Sequence, residues 1–83
     1  MIYTAHINVM PLKELLDPQG KAVMGGLGNL GLKQITDVRI GKHITLQLEA
    51  ENETEAKGKV EDACKKLLAN LIMESYRFEL HQN

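Results

Sequence analysis

Apolar and polar residues alternate from the start of the chain: Tyr3, Ala5, Ile7 and Val9 fall in one phase, Thr4, His6 and Asn8 in the other. A period of two marks a strand with one buried face. Pro11 closes it, because proline has no N–H to give to a ladder. The period then changes. Asp17-Pro18 starts a helix: the carboxylate can accept orphan N–H groups, and proline fits the first helical position. Val23, Leu27 and Leu30, with Ala22 and Met24 beside them, predict a core-facing stripe, and Gly31 suits a left-handed exit. Gly25, Gly26 and Gly28 each cost roughly 1 kcal/mol of helix propensity against alanine. Packing is therefore expected to hold this helix.

Val38 and Ile40 begin the next alternation, Gly41-Lys42 reads as a tight turn with positive φ at Gly41, and Ile44, Leu46, Leu48 and Ala50 continue against Thr45, Gln47 and Glu49. That pattern predicts a hairpin. Residues 52–70 carry a second helical period, with Asn52 and Glu55 as a capping pair. Its apolar face is Ala56, Val60, Ala63, Cys64, Leu67 and Leu68. Glu53–Lys57, Glu55–Lys59, Glu61–Lys65 and Asp62–Lys66 set acid four residues before base on the solvated side. Ile72, Tyr76, Phe78 and Leu80 then alternate with Met73, Ser75, Arg77, Glu79 and His81. The order β-α-β-β-α-β predicts an α+β, ferredoxin-like domain, a four-stranded antiparallel sheet with two helices on one face.

Length and charge narrow the function classes. Eighty-three residues make a single domain, 1–83. A chain this short buries only about 60–65% of its unfolded surface, so self-association is a ready source of extra stability. The net charge is -1, and no basic block exceeds Lys65-Lys66, which argues against nucleic-acid binding. One cysteine leaves no intramolecular disulfide and no CxxC site. MIYTAHINVM lacks the features of a signal peptide, and the longest apolar run, LIM at 71–73, is too short for a bilayer. A cytoplasmic domain with no membrane contact is expected.

Candidate chemistry is sparse. Gly26-x-Gly28-x-x-Gly31 has the spacing of a dinucleotide fingerprint but ends a helix instead of opening one, so close helix packing and a C-terminal cap explain it better. Ser75 lies on a strand outside any nucleophile motif, and Cys64 falls on an apolar helix face, as a buried thiol does. His6, His43 and His81 have no ligand spacing, although His6 and His81 can meet across the open sheet face; no metal site is expected. That face, with Thr4, His6, Asn8, Thr45, Gln47, Glu49, Arg77 and Glu79, suits a wet surface or a subunit interface.

LLDPQGKAV, VRIGKHITL and CKKLLAN followed by ESYRFEL resemble, in order and across the whole chain, the PurS subunit family of phosphoribosylformylglycinamidine synthase. Two departures stand out. Lys13-Glu14-Leu15 replaces the Lys and Gly-Val usual before LDPQG, and Asn70-Leu71 replaces the usual Asn-Pro after the second helix. The second removes a rigid helix exit and leaves Asn70 to act as a left-handed cap. The resemblance implies a small subunit without catalytic residues or a cofactor of its own. It bridges a glutaminase chain (PurQ type), which releases ammonia, and a synthetase chain (PurL type), which uses ATP and Mg to amidate formylglycinamide ribonucleotide. It also implies self-association as a dimer or tetramer. Carried over by motif, Asp17, Pro18, Gln19 and Gly20 shape the first helix start. Gly41 sits in the turn, and Asn70 at the second helix exit. Arg39 and Lys42 are candidates for contact with an anionic partner surface or a substrate phosphate. The rival from another class is a stand-alone ligand-sensing module on the same fold. An acylphosphatase-like hydrolase ranks last, because PLKELLDP holds no arginine for a phosphate loop.

Overall fold

A computed structural model describes residues 1–83. In chain order the elements are β1 (Ile2–Pro11), α1 (Pro18–Asn29), β2 (Lys42–Glu49), α2 (Glu53–Ala63) with a wide π-helical turn at Cys64–Leu68, and β3 (Glu74–Gln82). The strands form one antiparallel sheet in the order β2-β1-β3, so the first and last strands are neighbours, as the ferredoxin-like order predicts. On its inner face Ile7 lies between Ile44 and Phe78, and Ala5 between Leu46 and Leu80. The β1 residues Tyr3, Ala5, Ile7 and Val9 are buried, beneath Ala56, Val60 and Cys64 of α2 and its extension. Tyr76 on β3 donates to Glu61 on α2 at 2.6 Å, and that acceptor pushes the phenol up to about 12.

The sheet has three strands where four were predicted. Residues 38–41 carry no ladder, and Gly41-Lys42 is not a hairpin turn. The backbone there is used elsewhere: the Ile40 N–H donates to Asp17 Oδ2 at 2.8 Å. Glycine is required at 41 by proximity and not by a positive φ, which only Gly31 adopts. A Cβ at Gly41 would strike the Val9 carbonyl and Met10 Sδ.

The two helices do not share the sheet. α1 begins and ends as its sequence predicts, with Asp17 Oδ1 accepting from Gly20 N–H at 3.1 Å and Gly31 at φ 86. The Leu32 N–H donates back to the Leu27 carbonyl at 3.0 Å, closing the C-terminal cap. Yet the only buried residue of α1 is Gly20, and Leu30 is 77% exposed. The predicted core stripe faces no core within the chain. Nor do Gly25, Gly26 and Gly28 admit a close neighbour, since each has open space where a Cβ would stand. With residues 32–41 as its return, α1 forms an arm on a molecule 51 Å long and 14 Å thick.

α2 matches its reading at the start. Glu55 N–H donates to Asn52 Oδ1 at 2.8 Å, while the Glu55 carboxylate reaches the Glu51 N–H at 3.2 Å. Three of the four expected ion pairs form: Glu55–Lys59, Glu61–Lys65 and Asp62–Lys66. At its end the wide turn changes the phase, so Leu68 packs on the core while Leu67 swings out to 82% exposure. β3 starts at Glu74, two residues after the alternation predicts, and leaves Ile72 at 84% exposure. Asn70 is not left-handed. Its carbonyl accepts from Met73 and Glu74 N–H at 2.9 and 2.7 Å, and its Oδ1 from Ile72 N–H at 3.1 Å, which turns the chain without the proline.

Candidate functional site

The motif residues, scattered from 17 to 70 in sequence, gather where the arm joins the sheet. Asp17, Pro18, Gln19 and Asn70 line one cleft of about 410 Å³ together with Leu15, Leu16, Ile40, Met73 and Glu74. The Leu12 N–H donates to the Met73 carbonyl at 2.9 Å and ties the loop after β1 to the turn before β3. Arg39 lines an adjoining cleft of about 420 Å³ with Met10, Leu12, Lys13, Glu14 and Ser75.

Asp17 is the fastener of this junction. Its side chain is buried, with 8% of the residue exposed, and one oxygen caps α1 while the other holds the returning segment at Ile40. The Ile40 N–H first, then the Gly20 N–H, keep its carboxyl below the ordinary carboxylate range; burial opposes them more weakly than either, and Arg39 and the Gln19 N–H add smaller contributions in the lowering direction. Gly20 completes the closure, because any Cβ there would overlap the Val38 carbonyl. The reading of Asp17 as a cap is correct but incomplete. Its long-range bond to Ile40 has no local sequence signal.

Arg39 serves the junction too. Its Nη2 donates to the Leu12 carbonyl at 2.5 Å and lies 3.5 Å from that of Pro11. Lys42 stands beside it at the start of β2, with its ammonium 4.0 Å from Glu74 and 55% of the side chain exposed. Glu74 is the member of this site that the sequence reading missed. Opposite Pro11 in the register, it also accepts the Asn70 N–H at 2.8 Å.

The open sheet face carries the histidines in a diagonal row. His6 approaches His81 at 5.6 Å and His43 at 5.7 Å between ring centroids, and His43 is engaged by Asn8 and Thr45 at 2.7 and 3.1 Å. No group of three His, Cys, Asp or Glu residues is arranged to hold a metal ion. Cys64 is fully buried, and burial raises its thiol, the reverse of what activates a nucleophile. No helix is long and apolar enough to cross a membrane. The site offers shape, hydrogen bonds and a cation, in a form suited to holding another surface.

Comparison with known proteins covers this whole arrangement. Residues 4–82 match the family model of PurS, phosphoribosylformylglycinamidine (FGAM) synthase. The chain is 44% identical over 78 residues to the PurS subunit of that synthase from Synechocystis, covering 94% of this chain and 78% of the relative. It is 36% identical to the subunit from Bacillus subtilis over 98% of this chain and 95% of the relative. A crystal form of the Bacillus subtilis PurS superposes with a TM-score of 0.85 at 35% identity, covering 96% of this chain and 99% of the other. A chain of the PurLQS structure from Thermotoga maritima does so with 0.89 at 30% identity, covering 98% and 99%.

Proposed function

The chain belongs to the PurS family, and on that premise we propose that it holds the synthetase and glutaminase chains of phosphoribosylformylglycinamidine synthase in register for ammonia transfer. It is the PurS subunit of this glutamine-dependent, ATP-consuming ligase of purine biosynthesis. The observation that carries the reading is its likeness, over nearly its full length, to a chain of a PurLQS assembly. Its partners are accordingly a PurL-type synthetase and a PurQ-type glutaminase. ATP and Mg belong to the synthetase chain, and we place the assembly in the cytoplasm.

This chain contributes position. Ammonia released at one site and consumed at another is diluted and protonated if the path opens to water, so the mutual orientation of the two sites governs transfer. A rigid domain whose β1 is paired on both sides can fix that orientation. Arg39 and Lys42 are the contacts we assign to an anionic partner surface or a substrate phosphate, with Asp17, Gly20, Gly41 and Asn70 shaping the junction that presents them. The relatives give no support to a stand-alone ligand-sensing module.

The test is glutamine-dependent amidation of formylglycinamide ribonucleotide by the purified synthetase and glutaminase chains, with and without this protein. Activity that appears only on its addition supports the role. Equal activity in both mixtures contradicts it.

A further inference from the structure

One end of the sheet carries a charge pair in a phase that is otherwise apolar. Lys42 opens β2 and Glu74 opens β3, and the register sets them against Val9 and Pro11, on opposite sides of β1. Both share the inward phase of their strands, that of Ile44 and Leu46 on β2 and of Tyr76 and Phe78 on β3. The sheet ends here, and 55% of the Lys42 side chain and 27% of the Glu74 side chain stay exposed.

The two members are held unequally. Glu74 Oε1 accepts the Asn70 N–H at 2.8 Å, and the Glu74 N–H donates to the Asn70 carbonyl at 2.7 Å. Its other oxygen lies 4.0 Å from the Lys42 ammonium, in the one ion pair that Lys42 makes. The carboxylate is thus fixed by the backbone of the turn, and the lysine, on its four-carbon stem, is the mobile member. Of the two cations at the junction, Lys42 is the one free to reach outward, because the Arg39 guanidinium is spent on the Leu12 and Pro11 carbonyls.

An exposed pair of this kind adds little to folding, so its effect belongs to docking. A lysine that a partner must fix loses rotamer freedom at that moment, and restraint applied beforehand removes part of that cost. Charge alone acts the other way: Glu74 opposes an anion approaching Lys42, and its removal would strengthen the attraction. The sign of the effect therefore separates the two.

We propose, on the reading that Lys42 meets an anionic partner surface, that Glu74 is a positioning residue. Anchored at the Asn70 turn, it holds the Lys42 ammonium in place for that contact across the end of β1.

The test titrates the chain into fixed synthetase and glutaminase chains and reads the concentration that half-saturates glutamine-dependent amidation. Glu74→Gln keeps the length and the acceptor for Asn70 and removes the charge. The expected result is a half-saturating concentration raised about threefold to tenfold, at an unchanged maximal rate and an unchanged urea midpoint. Lys42→Ala raises it at least as far, and the double variant no further than Lys42→Ala alone. A lower or unchanged value for Glu74→Gln, beside a raised one for Lys42→Ala, overturns the positioning role and leaves the Lys42 contact standing. Effects that multiply in the double variant overturn it too, by separating the two residues. A raised KM for the ribonucleotide with unchanged half-saturation puts Lys42 on the substrate phosphate and overturns the docking role. No effect of Lys42→Ala overturns the contact itself, and no dependence on the chain overturns the subunit role; the positioning role falls with either. If Glu74→Gln does not fold, carbon relaxation at Lys42 Cε in the wild-type chain decides. A stem more ordered than that of Lys57, which makes no ion pair, supports the role, and equal mobility overturns it.

Discussion

The sheet with α2 and the arm are built from similarly apolar sequence, yet they use it in opposite ways. In the first, Ile7 and Val9 meet Val60 and Cys64 in a closed core, all four essentially without exposure. In the second, good local signals make a helix with a cap at each end that buries one glycine. Caps and propensity can write a helix into a sequence, but tertiary contacts decide where its apolar side goes. Here the arm keeps its position through a few polar bonds at its base and leaves its apolar side exposed.

The largest test of that contrast is Ile7→Ala. Removing this fully buried side chain should cost about 2–5 kcal/mol in urea unfolding, while Leu67→Ala, at an 82% exposed site, should stay within about 0.5 kcal/mol. Comparable losses would mean that the core is not where the stability resides. Next comes the junction. Gly20→Ala must push a Cβ into the Val38 carbonyl, and overpacking of this kind costs about 1–3 kcal/mol. A loss is expected even though alanine is the better helix former, together with faster hydrogen exchange at the Ile40 amide. Stabilisation by the same substitution would show that the arm's base is loose.

Acid should loosen the arm before the sheet. The Asp17 carboxyl titrates lower in the folded chain than its ordinary 3.8. Its contribution is therefore complete above that ordinary value and is lost as pH falls through the lower folded value, where protonation removes an acceptor from Ile40 and Gly20. Amide exchange at Ile40 and Gly20, followed down in pH, should rise ahead of exchange in β1, and Asp17→Asn should show it already at neutral pH. Simultaneous opening of both regions would contradict a junction held by this side chain. The smallest effect belongs to the outer face of α2. Lys66→Ala breaks the 2.9 Å pair with Asp62 and should cost about 0.2–0.5 kcal/mol, a change that high salt erases.

How far the sequence could be read follows the same division. The strand alternations, the Asp17-Pro18 start, the Gly31 exit and the Asn52 cap were all legible, because each depends on residues within a few positions. The fourth strand was not. Val38 and Ile40 do alternate, but a carboxylate twenty-three residues away takes the Ile40 N–H, and no periodicity encodes that. Leu67 was misplaced for a related reason, since the wide turn at 64–68 shifts the phase that a 3.6-residue period extrapolates. Of the motif residues, Asp17 and Pro18 were legible as a helix start, while the hairpin turn expected at Gly41 and the left-handed exit at Asn70 do not form. Their convergence on one junction, with Glu74 joining them from β3, needed the fold.

The central claim is that this chain supplies position and not chemistry, and free ammonia separates the two. The synthetase chain is assayed with glutamine plus the glutaminase chain, and then with ammonia alone, each with and without this protein. The account predicts that omitting the protein abolishes the glutamine-dependent reaction and leaves the ammonia-dependent one largely intact. Equal loss of both reactions would contradict it, by making the chain a participant in the synthetase chemistry itself.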